Sequence, residues 1–186
     1  NVVREYLQII VLKILFDKGY FKNIAFVGGT SLRILYDLHR YSEDLDFSLI
    51  DDSNYDFEVL LDEISKELIN NGFQIQLKSK TKNVVNYCFF KFPSLLYDLG
   101  ISKVKESPLS IKLVIDTNPP KGWIGKIIPI TDPYFFAVQS FDLSSLFATK
   151  LHACFFRKYT KGRDFYDLIW YLGKKIEPNY LLLNNA

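Results

Sequence analysis

No methionine occurs in this chain of 186 residues, and cysteine and histidine are each present only twice. That scarcity removes a cysteine- or histidine-rich metal centre. Cys88 and Cys154 form no metal-spaced pair and sit in apolar surroundings, which reads as two reduced core thiols of a cytoplasmic protein. Sequence alone leaves a Cys88–Cys154 disulfide open. His39 falls near a helix end and His152 lies off the apolar stripe of its helix, so both read as structural. Long hydrophobic runs are missing as well. No segment reaches the roughly 18 charge-free apolar residues of a membrane span, and no signal peptide is visible. A chain that begins at Asn1 without methionine reads as a trimmed piece. An excess of one charge is also lacking: 23 basic against 21 acidic residues give a net charge of +2, which does not announce a nucleic-acid partner. There is no internal repeat and no low-complexity tract.

What is present suits a folded globular chain. Hydrophobic residues make up 48% and aromatics 16%, enough for a sizeable core and against disorder. The length suits one domain, or one domain with a helical extension.

The most informative stretch runs from Ile24 to Leu49. Ile24 to Val27 is an apolar run of strand length. Gly28-Gly29 follows, able to take positive φ and to let a ligand approach the backbone. Thr30 and Ser31 are good N-caps for the next helix. Such a turn is either a plain strand-to-helix connection or an anion site, with backbone N–H groups and hydroxyls facing a phosphate. In Asp44-Leu45-Asp46-Phe47-Ser48-Leu49 polar and apolar residues alternate strictly. Period two puts Asp44, Asp46 and Ser48 on one strand face and Leu45, Phe47 and Leu49 on the core face. Two aspartates roughly 7 Å apart on one face either form a solvated acidic edge or hold a cation between them. Mg²⁺ (or Mn²⁺) favours one or two carboxylates plus substrate phosphates and water.

The rest of the chain supplies the frame. Helices are expected over 1–20, 30–39 and 55–71, from Asp142 or Ser144 to about Arg157, and from Asp164 through Tyr171, the last with Phe165, Leu168, Ile169 and Leu172 buried. Strands are expected at Phe73–Ser79 and Val84–Phe92, joined by a turn with Lys78, Lys80, Lys82 and Asn83 near it, then at Leu109–Asp116 and Tyr134–Phe141. The lysines read as a solvated turn or as contacts to RNA backbone. The fold class is therefore α/β, or α+β. A mixed sheet from the strands at Ile24, Leu45, Phe73, Val84 and Ile111 is flanked by helices, with residues 1–142 as the core and 143–186 as a helical C-terminal part.

Three further positions carry charge where chemistry could use it. Asp116 ends a strand before Thr117-Asn118-Pro119-Pro120, where it either caps a turn or opens onto a site at the sheet edge. Arg40 pairs with a carboxylate or with a substrate phosphate. Lys150 falls in an apolar helical stripe, so it meets a structural aspartate or a nucleotide phosphate. The run from Arg157 through Lys158, Tyr159, Thr160 and Lys161 to Arg163 is a basic loop ahead of Asp164, which suits a helix start.

Taken together, these blocks resemble a known family. Gly28-Gly29-Thr30-Ser31 with Arg40-x-Ser42-x-Asp44-Leu45-Asp46-Phe47 is similar to the nucleotidyltransferase superfamily, and more closely to the AbiEii/AbiGii toxins. Ile115-Asp116-Thr117-Asn118-Pro119-Pro120, Lys150 in Ala148-Thr149-Lys150-Leu151-His152-Ala153, and Lys161-Gly162-Arg163-Asp164-x-x-Asp167-Leu168 extend the likeness over roughly 24–170. The resemblance implies a nucleotidyltransferase-like fold. It implies that Asp44, Asp46 and Asp116 hold Mg²⁺, with Asp116 also able to act as base, and that Gly28, Gly29, Thr30, Ser31 and Arg40 bind the nucleotide. Lys150 would contact the nucleotide, and Asp164 would complete the site. The resemblance further implies transfer from a nucleoside triphosphate to an acceptor, a tRNA 3′ end foremost, in a phage-defence toxin with a cognate antitoxin. A protein hydroxyl as acceptor, and a nucleotide-binding module without turnover, are the rival readings. Family members usually continue into a larger helical C-terminal part than this chain has.

Overall fold

The computed structural model describes residues 1–82, 84–157, 159 and 161–186, with the backbone alone at Lys82. The parts of the expected hairpin turn and basic loop at Lys82, Asn83, Lys158 and Thr160 therefore lie outside the described residues or side chains.

The chain opens with helix α1 (Val2–Asp17), whose buried side carries Leu7, Val11, Leu12 and Leu15. Gly19, at φ 78°, breaks it and leads into one 3-10 turn, Tyr20–Lys22. Strand β1 (Ile24–Val27) runs into helix α2 (Gly28–Tyr36) and strand β2 (Asp44–Leu49). Helix α3 (Phe57–Asn70) begins two residues later than its apolar pattern suggests. Asp56 takes the cap, accepting the N–H groups of Glu58 and Val59. Then come β3 (Gln76–Lys82), β4 (Val85–Phe92), a single helical turn α4 (Leu95–Asp98), β5 (Leu109–Asp116), β6 (Gly125–Ile130) and β7 (Phe136–Phe141). Helices α5 (Leu143–Phe156), α6 (Gly162–Gly173) and α7 (Tyr180–Asn185) close the chain.

All seven strands form one mixed sheet in the order β3-β4-β5-β2-β1-β7-β6. β2 pairs parallel with β5 and β1 parallel with β7, while the other neighbours are antiparallel. The expected strands are all in this sheet, and β6 adds a seventh at its edge, paired with β7. One apolar cluster sits between the sheet and α1 and α3, joining Leu12, Leu60, Ile64, Phe90, Leu113 and Ile115. A second joins β1 and β7 to the C-terminal helices through Ala25, Phe141, Phe147 and Tyr171. Phe147 and Tyr171 stack at 4.4 Å between ring centroids.

Two expectations fail for physical reasons. Helix α2 stops at Tyr36 because Asp37 turns left-handed, φ 60°. His39 and Arg40 therefore lie on the loop that follows, not on the helix. Helix α6 buries the opposite face from the one its apolar residues mark. Asp164, Asp167 and Tyr171 are buried, whereas Phe165, Ile169 and Leu172 are more than half exposed and Leu168 is half-buried. Both cysteines are free thiols, Cys88 buried and Cys154 half-buried. Among the described residues no helix is long and apolar enough to cross a membrane.

Candidate active site

The site is built around the β1–α2 turn. Gly28 holds φ +80°, and a methyl added there would come 2.5 Å from Asp46 Oδ2. At Gly29 a methyl would come 2.7 Å from Arg40 Nη2 and 3.1 Å from Ser42 Oγ. The absence of side chains lets an aspartate and an arginine of the protein itself close on the turn. The expected caps are not used as caps. The residue before the helix is Val27, with no side-chain cap. The Thr30 hydroxyl donates to the Asp44 carbonyl and tethers β2 to the turn. Ser31 Oγ donates to the Gly28 carbonyl at 2.8 Å. Both side chains are fully buried, so their hydroxyls are spent inside the fold. The open anion-binding groups of this turn are backbone N–H groups at the start of α2.

Strand β2 presents the acidic pair on the face expected. Leu45 and Phe47 enter the core, while Asp44 and Asp46 are half-buried on the other side. A fully buried glutamine on α1 fixes the approach: Gln8 Nε2 donates to the carbonyls of Ser42 at 3.1 Å and Glu43 at 3.0 Å. Burial pushes the Asp46 carboxyl up to about 6, and the neighbouring Asp44 charge adds to this. Lys112, Lys150 and Arg163 pull the other way.

The facing wall comes from α5 and α6. Lys150 Nζ lies 3.0 Å from Asp164 Oδ1 and 2.9 Å from Asp167 Oδ2. Arg40 clasps Asp167 with two parallel bonds, Nε to Oδ1 and Nη2 to Oδ2, each 2.6 Å. Arg157 reaches Asp164 at 3.6 Å. Two buried carboxylates thus hold three cations beside the acidic pair. Asp164 is the third residue of α6 and accepts the Lys161 N–H at 3.1 Å; the residue before the helix is Lys161. Burial would raise Asp164, but the Lys161 N–H, Lys150 and Arg157 outweigh it and hold its pKa below the ordinary value. Sequence reasoning weighed Arg40 between carboxylate and phosphate, and the partner here is a carboxylate, Asp167. Asp167 itself was not singled out. Its signal was an aspartate one helical turn after Asp164, on the same face.

Two connected hollows result. A small polar one of about 60 Å³ is lined by Gly28, Gly29, Arg40, Asp44, Asp46 and Arg163, among others. A larger one of about 270 Å³ shares Gly28, Asp46, Lys150 and Arg157 with it and extends to Asp116, Thr149 and His152. Asp116 lies on β5 opposite Ser48, one alternation beyond Asp46, and its Oδ1 accepts the Asn118 N–H at 3.0 Å. It shares the larger hollow with Asp46 but does not close on the pair. Among the described residues no three carboxylate, histidine or cysteine groups gather closely enough to hold a metal ion. A bigger hollow of about 380 Å³ beside α1 has its charged groups already paired as Lys13–Asp17 and Lys18–Glu67.

A model of the nucleotidyl transferase AbiEii toxin family, a type IV toxin–antitoxin system, matches residues 10–185. The chain belongs to this family. The matched span takes in the glycine turn, the acidic strand, Asp116 and the α5–α6 wall. No curated protein matches the sequence. Among solved structures, the crystal structure of JHP933 from Helicobacter pylori aligns with a TM-score of 0.64 at 24% identity, covering 92% of this chain and 66% of that one. A nucleotidyltransferase candidate from H. pylori aligns with a TM-score of 0.67, also at 24% identity, covering 92% of this chain and 68% of that one. These likenesses show the mixed-sheet fold. The chain spans about two thirds of the length of the structures it matches.

Proposed function

We propose that this chain is the catalytic part of a metal-dependent nucleotidyltransferase toxin that moves a nucleotide from a nucleoside triphosphate to a hydroxyl of RNA, a tRNA 3′ end foremost. The observation that carries this reading is the Asp44–Asp46 pair. It lies against a glycine turn on one side and a wall of Lys150, Arg40, Arg157 and Arg163 on the other. Acidic charge for a cation and basic charge for phosphates meet in one cleft.

The donor set fits Mg²⁺ or Mn²⁺. Two carboxylates share one strand face, and burial, with the neighbouring Asp44 charge adding to it, raises the Asp46 pKa. Mg²⁺ needs only one or two carboxylates beside substrate phosphates and water. We assign the cation to Asp44 and Asp46. When bound, it neutralises charge developing on the transferring phosphate.

The remaining roles follow from the side chains. Backbone N–H groups at Gly28 and Gly29 receive the triphosphate, with Lys150 and the arginines beside them. Asp164 and Asp167 hold Lys150 and Arg40 in position. The acceptor oxygen bonds to the α-phosphorus, the bond between that phosphorus and the bridging oxygen to the β-phosphate breaks, and pyrophosphate leaves. We assign Asp116, in the larger hollow, as the base that takes the hydroxyl proton. The family description implies a cognate antitoxin as partner.

The test is transfer of label. The protein is mixed with Mg²⁺, each α-labelled nucleoside triphosphate in turn, and total tRNA. Label on RNA that disappears in Asp46→Ala supports the reading. Label on protein moves the acceptor to a protein hydroxyl, and bound nucleotide without any transfer overturns the reading.

A further inference from the structure

In the half of the sheet beyond β2, α3 packs on one side, and among the described residues no helix packs broadly on the other, where Tyr87, Phe89 and Lys112 are half-buried. On the core side, Cys88, Phe90 and Phe92 of β4 pack with Leu60 and Ile64 of α3. The other side carries the alternate residues of each strand, and the register aligns them into two rows that end at the acidic pair. In the first, Lys80 pairs with Tyr87, Tyr87 with Val114, and Val114 with Asp46. In the second, Lys78 pairs with Phe89, Phe89 with Lys112, and Lys112 with Asp44. Directly paired residues point to the same face of a sheet.

The chemistry of these rows is unusual for a solvent-facing sheet. Tyr87 and Phe89 stand edge to face, 6.0 Å between ring centroids at 88°. Lys112 Nζ lies over both rings, 5.4 Å and 5.9 Å from their centroids. Lys78 and Lys80 are exposed, and among the described residues neither they nor Lys112 make an ion pair. Among the described residues the extensive contacts of β3 and β4 are with each other and with β5, so no helix packs broadly on these rings. The rows span three strand spacings, roughly 14 Å. Solvated sheet faces are usually polar throughout. Aromatic rings flanked by unpaired lysines are what single-stranded nucleic acid requires, because every base has a face to stack and every phosphate a charge to meet.

We propose that this sheet face is the track on which a single-stranded RNA end reaches the acidic pair, with bases on Tyr87 and Phe89 and phosphates on Lys78, Lys80 and Lys112. The inference rests on the nucleotidyl-transfer reading and gives it an acceptor of stated chemistry. The RNA enters from the β3 edge, opposite the wall of α5 and α6. The terminal hydroxyl then arrives beside Asp46 from the side away from Lys150, which leaves the basic wall to the triphosphate.

Binding tests this apart from catalysis. The probe is a short unstructured RNA with a dye at its 5′ end, read by fluorescence anisotropy against the full chain. Lys78→Gln/Lys80→Gln is expected to raise Kd about tenfold and to lower the salt dependence of binding by about one to two contacts. Tyr87→Leu/Phe89→Leu is expected to raise Kd about tenfold with the salt dependence unchanged. The lysine pair is exposed, so that variant keeps the fold even if the aromatic one does not, and circular dichroism checks both. RNA binding that both variants retain at wild-type strength overturns the track, as does a wild-type protein that binds nucleoside triphosphate but no RNA. Track-dependent RNA binding without transfer sinks the nucleotidyl-transfer reading and spares the track. Transfer to RNA with track-independent binding does the reverse.

Discussion

Arg40 and Asp167 stand 127 residues apart in the chain and meet in a two-pronged ion pair, both bonds 2.6 Å long, with the Asp167 side chain wholly buried. The same carboxylate also holds Lys150. Removing it leaves two cations facing each other in a half-dry setting. Asp167→Asn should cost about 3–5 kcal/mol of stability, read by urea unfolding, because breaking one side of a buried pair strands the other charge. The Arg40→Ala/Asp167→Ala double variant should cost less than the sum of the two singles. Strict additivity would show that the pair is not coupled.

Gly28 and Gly19 separate backbone strain from crowding. Both hold φ near +80°, but a methyl meets nothing within 4 Å at Gly19 and overlaps Asp46 at Gly28. Gly19→Ala should lose about 1 kcal/mol and keep nucleotide binding. Gly28→Ala should lose more and displace the Asp46 carboxyl, with transfer reduced about 100-fold or further. Equal effects at the two positions would count against the crowding argument.

The acidic pair makes a signed prediction for the metal-free protein. Asp46 is raised to about 6 from an ordinary 3.8. A carboxyl raised on folding prefers its proton in the folded state. Its contribution is therefore most favourable below about pH 4 and is lost as pH rises to about 6. Asp46→Asn removes that loss. The variant should match the wild type near pH 4 and exceed it above pH 6 by up to about 3 kcal/mol, measured as unfolding free energy against pH. Mg²⁺ should close the gap by stabilising the wild type alone. A variant less stable than the metal-free wild type at pH 8 would contradict the assignment.

Helix α6 predicts which apolar residues matter. Phe165, Ile169 and Leu172 are exposed and Tyr171 is fully buried against Phe147. Ile169→Ser should leave Tm within a few degrees of the wild type, whereas Tyr171→Ala should cost about 3–5 kcal/mol. The comparison needs only thermal melts.

That helix also shows where reading from sequence stops. β2 and β5 were legible to the residue because one face of each enters the core, and alternation in such a strand has one meaning; β1 was legible as a short apolar run, buried on both faces between the two clusters. The glycine turn, Asp44, Asp46 and Lys150 were legible too, since an aspartate pair on a strand and a lysine in an apolar stripe break local rules. For α6 the hydrophobic rule inverts. Two aspartates face inward because Lys150, Arg40 and Arg157 wait there, and those cations come from elements up to 127 residues away. The inward aspartates could not be told from a solvated face without that tertiary partner. Thr30 and Ser31 misled for a related reason. As cap residues they fit the local pattern, but the carbonyl of Asp44 and the start of α2 claim their hydroxyls.

The clasp between Arg40 and Asp167 also sets a clock during synthesis. The glycine turn and the acidic strand leave the ribosome early, while Asp164 and Asp167, which steady Arg40 and Lys150, follow over 100 residues later. At about 5–20 residues per second the interval between Asp44 and Asp167 is roughly 6–25 s. A nascent chain thus carries its acidic pair well before it carries an organised basic wall, and any product truncated before α6 lacks the anchor for both cations. Synthesis of α6 becomes the step that organises the basic wall.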